Sequence, residues 1–153
     1  MKNILFFIFL FQCFGSFCQS DHNSPIPIVG EVCADTFKVS NSYKSLPKFI
    51  RNYLDELNQS KFKLSKKRFN PTDVNNRPST SRKLSYVAMS DRFYILSYKH
   101  GGKGYHGHTL IFELDSNRIT KVCNLITSPH KSINELKYFL RSNLYDTQNV
   151  KEI

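Results

Sequence analysis

Residues 99–110, KHGGKGYHGHTL, contain three histidines and four glycines. Neutral imidazole rings are good ligands for zinc and copper, and three of them leave a fourth coordination position open. Imidazoles also act as general acids and bases near neutral pH, here beside Lys99 and Lys103. The third interpretation is a glycine-rich turn whose histidines have no chemical role. The choice depends on how the flanking strands orient the three rings.

The residues around this stretch are predicted to form an antiparallel β-hairpin. Its strands are expected at 92–100 and 107–114, and the five-residue loop 101–105 has a length that hairpins permit. Side chains alternate between the two faces of a strand. When the apolar faces of the two strands are made to coincide, the predicted register has four pairs on that face: Tyr94 with Phe112, Leu96 with Leu110, Tyr98 with His108, and His100 with His106.

This register gathers the three histidines on one face, because directly opposite Cβ atoms lie within about 5 Å of each other. His100, His106 and His108 are therefore the candidate zinc or copper ligands, and no other cofactor is expected. A bulge at Gly107 would turn His108 to the other face. The predicted binding residues are the three histidines together with Tyr98, Lys103 and Tyr105.

The hairpin is expected to belong to a single α+β domain that spans residues 45–144. An apolar stripe of helical period predicts a helix at 45–58, and the capping box of Ser132 and Glu135 opens a second helix that ends near Asn143. Between them we predict an antiparallel meander of about five strands, the first at 61–69. Both helices are expected to pack on one face of this sheet.

The segments outside the domain are expected to have little regular structure. Residues 19–44 are predicted to form an extended N-terminal arm, in which 33–39 is either a short strand or an extended lead-in, and 145–153 a frayed C-terminal tail. The polar segment 70–82 has two prolines and no apolar period, which favours a mobile loop.

The first 18 residues have the layout of a secretory signal peptide. Lys2 precedes an apolar run from Ile4 to Phe11, and the small residues Gly15 and Ser16 follow. A transmembrane helix needs about 20 apolar residues, so the run is too short to span a membrane. Cleavage after Cys18 predicts a secreted or periplasmic protein with no transmembrane segment.

The chain is basic, with 22 basic and 12 acidic residues and a formal net charge of +10. Loss of Lys2 with the signal peptide would leave +9. A basic balance favours anionic partners, although it also serves solubility alone. The densest group of positive charges lies at residues 63–68. The expected partner is an unidentified protein or an anionic polymer, and no motif for specific nucleic-acid recognition is present.

Two cysteines remain after cleavage, Cys33 and Cys123. Secretion permits a disulfide between them, which would close a loop of roughly 90 residues and contribute about 4 kcal/mol. Two buried free thiols are the alternative. Their spacing does not match a zinc knuckle.

The sequence contains no recognisable catalytic motif, so an enzyme is not favoured. The first hypothesis is a small secreted or periplasmic binding or inhibitor-like module that contacts a macromolecule. An exposed patch of Tyr86, Tyr94 and Tyr98 would support it, since aromatic residues anchor interfaces. The alternatives are a metal-binding protein that uses the histidine hairpin and a small ribonuclease-like hydrolase.

Overall fold

The computed structural model describes residues 27–67, 69–71, 81–102 and 104–153. The predicted signal peptide, most of the predicted mobile loop and Lys103 lie outside these residues. The helices are α1 (Pro27–Ala34), α2 (Lys48–Leu57) and α3 (Ile133–Arg141). The strands are β1 (Lys38–Ser40), β2 (Arg82–Met89), β3 (Phe93–His100), β4 (His106–Asp115), β5 (Arg118–Thr127) and β6 (Asp146–Gln148).

The strands form one antiparallel sheet in the order of the chain, from β1 to β6. The α+β class is therefore confirmed, with six strands in the described residues where about five were expected. In the described part of the predicted strand at 61–69, the β-pairing is an isolated bridge between Ser65 and Lys83. The two edge strands come from segments that were expected to be an arm and a tail.

The helices cover both faces of the sheet, which makes three layers. One face packs against α2, with a core that includes Ile50, Leu54, Leu96, Leu110 and Phe112. The other face packs against α1 and α3, with a core that includes Val32, Ile95, Ile111, Leu136 and Leu140. The expectation that both predicted helices share one face is wrong.

The sequence of β3 explains this difference. Its segment FYILSY has apolar residues at consecutive positions, and Ile95, Leu96 and Tyr98 are all fully buried. Continuous apolar runs are typical of strands that are covered on both faces. The second cover includes α1, which falls inside the predicted arm and buries Ile28, Val29 and Val32.

The predicted frayed tail is also ordered against the sheet. Asn124 of β5 pairs with Gln148 of β6. Beyond β6, Ile153 is buried in the core on the α2 face. The tail therefore completes one edge of the domain and lies close to the end of the sheet where the histidine hairpin turns.

The helix starts differ in how well the sequence predicts them. Ser132 caps α3 as expected, since its hydroxyl accepts a hydrogen bond from the Glu135 amide at 3.2 Å. Ser45 does not cap α2, which follows Pro47. The Ser45 hydroxyl instead lies 2.6 Å from that of Ser40.

Two glycines provide a matched test of this packing. A Cβ at Gly101 would overlap the main-chain oxygen of Asn70 and lie 2.8 Å from Pro71 Cα, whereas a Cβ at Gly30 in α1 meets no atom within 4 Å. We expect Gly101→Ala to lower the free energy of unfolding by about 1–3 kcal/mol. Gly30→Ala should raise it by about 0.5–1 kcal/mol, because alanine favours helix. Urea denaturation of both variants measures the two effects, and equal effects would contradict the close approach at Gly101.

Candidate metal centre

The hairpin of β3 and β4 has the register that the sequence predicts. Tyr94 lies opposite Phe112, Leu96 opposite Leu110, Tyr98 opposite His108 and His100 opposite His106. Gly107 pairs with Lys99 without a bulge, so His108 keeps the same face as His106. The loop glycines Gly102 and Gly104 have φ angles of 125° and 103°, which other residues rarely adopt.

Gly107 has a different role from the loop glycines. It lies between His106 and His108 in the sequence. The side on which a side chain would project is covered by the segment that follows β5. A Cβ at this position would be 3.3 Å from Pro129 Cα and 3.3 Å from the Ser128 carbonyl oxygen. Because glycine has no side chain, that segment can pack directly against the hairpin, on the face opposite to the histidines.

The three predicted ligands form one cluster. Each offers one nitrogen, and these three atoms all lie within 4.8 Å of one another. The Nε2 atoms of His106 and His108 are 2.9 Å apart. His108 is almost fully buried, while His100 and His106 are partly exposed. The cluster is therefore buried on the side of His108 and accessible to solvent on the side of His100 and His106.

Hydrogen bonds at the other ring nitrogen orient two of these histidines. His106 Nδ1 lies 2.7 Å from the Gly104 carbonyl oxygen, and His108 Nδ1 lies 3.1 Å from Asn124 Oδ1. Asn124 donates from Nδ2 to the Asn149 carbonyl oxygen at 3.3 Å, which fixes the orientation of its amide. Both Nδ1 atoms therefore carry the proton, and both Nε2 atoms present a lone pair.

Two lone pairs that face each other at this distance repel unless a positive group lies between them. Reversing either tautomer would lose the hydrogen bond at Nδ1. A proton on the His108 ring is disfavoured, because burial is the main cause that lowers the pKa of His108 to about 4. A metal ion is a group that would satisfy both nitrogens, and the three histidines could hold one.

The spacing is compatible with one tetrahedral ion. Zinc–nitrogen bonds of about 2.0–2.1 Å place two ligand nitrogens roughly 3.3 Å apart. The shortest nitrogen pair, at 2.9 Å, would open slightly, and the widest, within 4.8 Å, would close. Such a change would come from side-chain rotations of His100 and His106, which are partly exposed.

Arg82 is the main electrostatic feature beside the cluster. It lies opposite His100 on β2, and its guanidinium donates to Asn58 Oδ1 at 3.0 Å and to the Ile153 main-chain oxygen at 2.7 Å. The same group stacks over Phe62 with 4.7 Å to the ring centroid. Its positive charge opposes a bound cation, so the affinity for metal should be lower than that of an isolated histidine triad.

The remaining predicted binding residues have different environments. Tyr98 is fully buried and stacks on His108 with 5.1 Å between ring centroids, so it supports that ring and is not available to a partner. Tyr105 is 48% exposed and lies beside Phe69. Tyr86 is buried on the opposite face and Tyr94 is partly buried. The exposed tyrosine patch that would support an interface is therefore absent from these three positions.

The predicted disulfide is wrong, because Cys33 and Cys123 are both free thiols. Each packs at the border of the core under α1 and α3. Cys33 Sγ points to α3 and lies 3.9 Å from the Lys137 carbonyl oxygen. Burial raises the pKa of the Cys123 thiol, which keeps it protonated.

Sequence reasoning missed two residues that support the hairpin. Asn124 is a polar residue within the apolar segment VCNLI of β5, and this interruption is the one signal that marks it. His130 is buried behind the hairpin, with Nδ1 3.2 Å from the Ser128 carbonyl oxygen and Nε2 3.1 Å from Ser97 Oγ. It fastens the segment after β5 to β3, and its burial lowers its pKa.

Comparisons of the chain with protein-family models, with curated proteins and with solved structures found no match. The interpretation of the site therefore depends on its own geometry. No helix within the described ranges is long and apolar enough to cross a membrane.

The histidines predict a dependence of stability on pH in metal-free protein. His100, His108 and His130 have lower pKa values when folded than the ordinary 6.5, so the unfolded chain binds more protons as the pH falls from about 6.5 towards 4. Their contribution to stability is present above pH 6.5 and is lost as the pH falls through that window. Urea denaturation in EDTA from pH 7 to pH 5 should show this loss.

The variant His108→Gln is the control for this measurement. It keeps the acidic residues that titrate in the same range and should give a shallower dependence on pH. If the two proteins lose stability equally between pH 7 and pH 5, His108 is not held neutral by burial.

Proposed function

We propose that this protein binds one divalent transition-metal ion, zinc or copper, through His100, His106 and His108. The observation that carries the proposal is the pair of Nε2 atoms 2.9 Å apart, each on a ring whose Nδ1 is hydrogen-bonded to an oxygen. Ligating histidines in proteins usually have this second hydrogen bond, which fixes the tautomer and turns the free nitrogen to the metal. Imidazole nitrogen suits zinc and copper.

Three protein ligands would leave the fourth position of a tetrahedral ion to water or to a group from a partner. His100 and His106 are partly exposed, so this position would face the open side of the cluster. The layout of residues 1–18 supports a secreted or periplasmic location for this metal-binding protein.

The other two functional hypotheses receive less support. A binding module that uses the tyrosines of the sheet is disfavoured, since Tyr86 and Tyr98 are buried. A ribonuclease-like reaction needs one protonated and one neutral imidazole near pH 7. The pKa of about 4 at both His100 and His108 would leave these two rings neutral, and neither would serve as the acid.

Metal titration of tag-free protein tests the proposal. We expect binding of one zinc or copper ion per chain and a higher melting temperature, because the ion binds only the folded state. At a free metal concentration ten times the dissociation constant, the added stability is about 1.4 kcal/mol. X-ray absorption of the loaded protein should show a first shell of nitrogen and oxygen without sulfur.

Substitutions separate this site from adventitious binding. His106→Ala with His108→Ala should abolish the stoichiometric site, while His130→Gln, which changes the histidine on the other face, should keep it. Circular dichroism must show that each variant is folded. Full binding in the double variant, or no binding in the unchanged protein, would falsify the proposal.

Asn124 should act through His108. The substitution Asn124→Ala removes the acceptor that orients the ring, and such second hydrogen bonds typically contribute about 10–100-fold in metal affinity. The exposed Asn52 on α2 is the matched control, and Asn52→Ala should leave the affinity unchanged. Competition titration with a zinc chelator measures both, and equal affinities would show that Asn124 does not orient the ligand.

A further inference from the structure

The positive charge of the chain is concentrated in one segment. Residues 61–105 contain eleven of the 22 basic residues but only two of the 12 acidic ones, which gives this segment +9 of the total +10. The rest of the chain is close to neutral. Solubility alone would not require the positive charges to lie in one segment. Their positions in the fold can therefore indicate a binding surface.

The fold brings several of these charges to one end of the sheet. Ser65 is hydrogen-bonded to both neighbours of Lys83, since its amide donates to the Arg82 carbonyl and its carbonyl accepts from the Leu84 amide, each at 3.0 Å. This contact sets the chain around Ser65 alongside the first residues of β2. We call the following five residues the basic strip: Lys63, Lys66, Lys67, Lys83 and Lys99.

Lys83 and Lys99 lie directly opposite each other on β2 and β3. Like charges at directly opposed strand positions are destabilising. The salt bridges among the described residues involve Lys61 and Arg92, and none joins a lysine of the basic strip to a described carboxylate. A bound anion would offset the repulsion that the fold leaves in place.

An exposed aromatic ring borders the basic strip. Tyr105 is 48% exposed, its ring centroid is 6.0 Å from Lys99 Nζ, and Phe69 lies against it at 5.9 Å. Aromatic rings beside a positive groove are the platforms on which the bases of single-stranded nucleic acids stack. A sulfated polysaccharide would use the lysines but has no base to place on the ring.

We propose that the basic strip and Tyr105 bind single-stranded nucleic acid without sequence preference. The lysines contact phosphates and Tyr105 stacks on a base. Lys99 points to the face of the sheet opposite to His100, so this surface is separate from the metal centre and does not depend on it. The absence of a sequence-reading motif agrees with recognition through charge and stacking alone.

Fluorescence anisotropy with a labelled 12-nucleotide oligothymidylate in EDTA tests this surface on the unchanged full chain. Five phosphate contacts predict a slope of log affinity against log salt of about −3.5, which is a loss of roughly 100-fold between 50 and 200 mM salt. Lys83→Gln with Lys99→Gln should reduce the slope to about −2. This variant should fold at least as well as the unchanged protein, because it removes the opposed charges.

The matched control is Lys38→Gln with Lys121→Gln. It removes the same charge from exposed strand positions at the other end of the sheet, where Lys38 pairs with Met89 and Lys121 with Glu113. The salt slope should stay at its original value in this variant. Equal slopes in the two double variants would mean that only net charge matters and would overturn the proposal.

Tyr105 distinguishes nucleic acid from other polyanions. We expect Tyr105→Ala to weaken oligothymidylate binding by about 5-fold or more, and Tyr105→Phe to retain it, because stacking needs only the ring. Binding of a sulfated polysaccharide should be weaker and unaffected by Tyr105→Ala. Absence of oligothymidylate binding, or equal binding of the polysaccharide with no effect of Tyr105→Ala on either ligand, overturns the proposal.

Discussion

The pairing of β3 with β4 is the constraint on which the rest of the structure depends. Strand side chains alternate, so the contact of Leu96 with Leu110 under α2 determines the face on which every later residue of the hairpin lies. A shift of one residue would place the histidines under α1 and α3 and the lysines under α2. The apolar core therefore fixes the chemistry at the open end of the hairpin.

The same alternation separates two kinds of positive charge. On the α2 face, Arg82 is held by Asn58 and the Ile153 main-chain oxygen, and burial, followed by the charge of Arg82, lowers the pKa of His100. On the other face, Lys83 and Lys99 are opposed and have no partner among the described carboxylates. One end of a small sheet thus presents three histidine rings on one side and cationic side chains on the other.

The register and the histidine cluster could be predicted because both follow from local patterns. Tyr94, Leu96 and Tyr98 alternate along β3 as the apolar residues of β4 do. With a five-residue glycine loop between the strands, only one register places both apolar faces on the same side of the sheet. The tautomer of His108 could not be predicted, because its acceptor, Asn124, belongs to another strand and is oriented in turn by Asn149. The closeness of the three histidines follows from the dozen residues 99–110, whereas the orientation of the His108 ring depends on contacts across the whole sheet.

The layer arrangement was harder to predict for a related reason. The segment PIVGEVCA has the glycine and proline of a loop, and its helical form is stabilised by burial of Val32 against the sheet. Without α1, the sequence pattern shows no cover for the second apolar face of β3, so it predicts that both helices pack on one side. The position of Cys33 also depends on α1, which directs its thiol to α3, and both cysteines are free.

Asn149 lies 41 residues beyond His108, whereas His106 lies two before it. Closing a long loop costs more entropy than closing a short one, so contacts within a hairpin form ahead of contacts between distant strands. During folding, the three imidazoles are therefore expected to come together with the β3–β4 hairpin, and the ring of His108 acquires its fixed orientation only when β6 joins the edge of the sheet. The closeness of the three rings is thus a property of the hairpin, whereas the orientation of His108 is a property of the completed sheet.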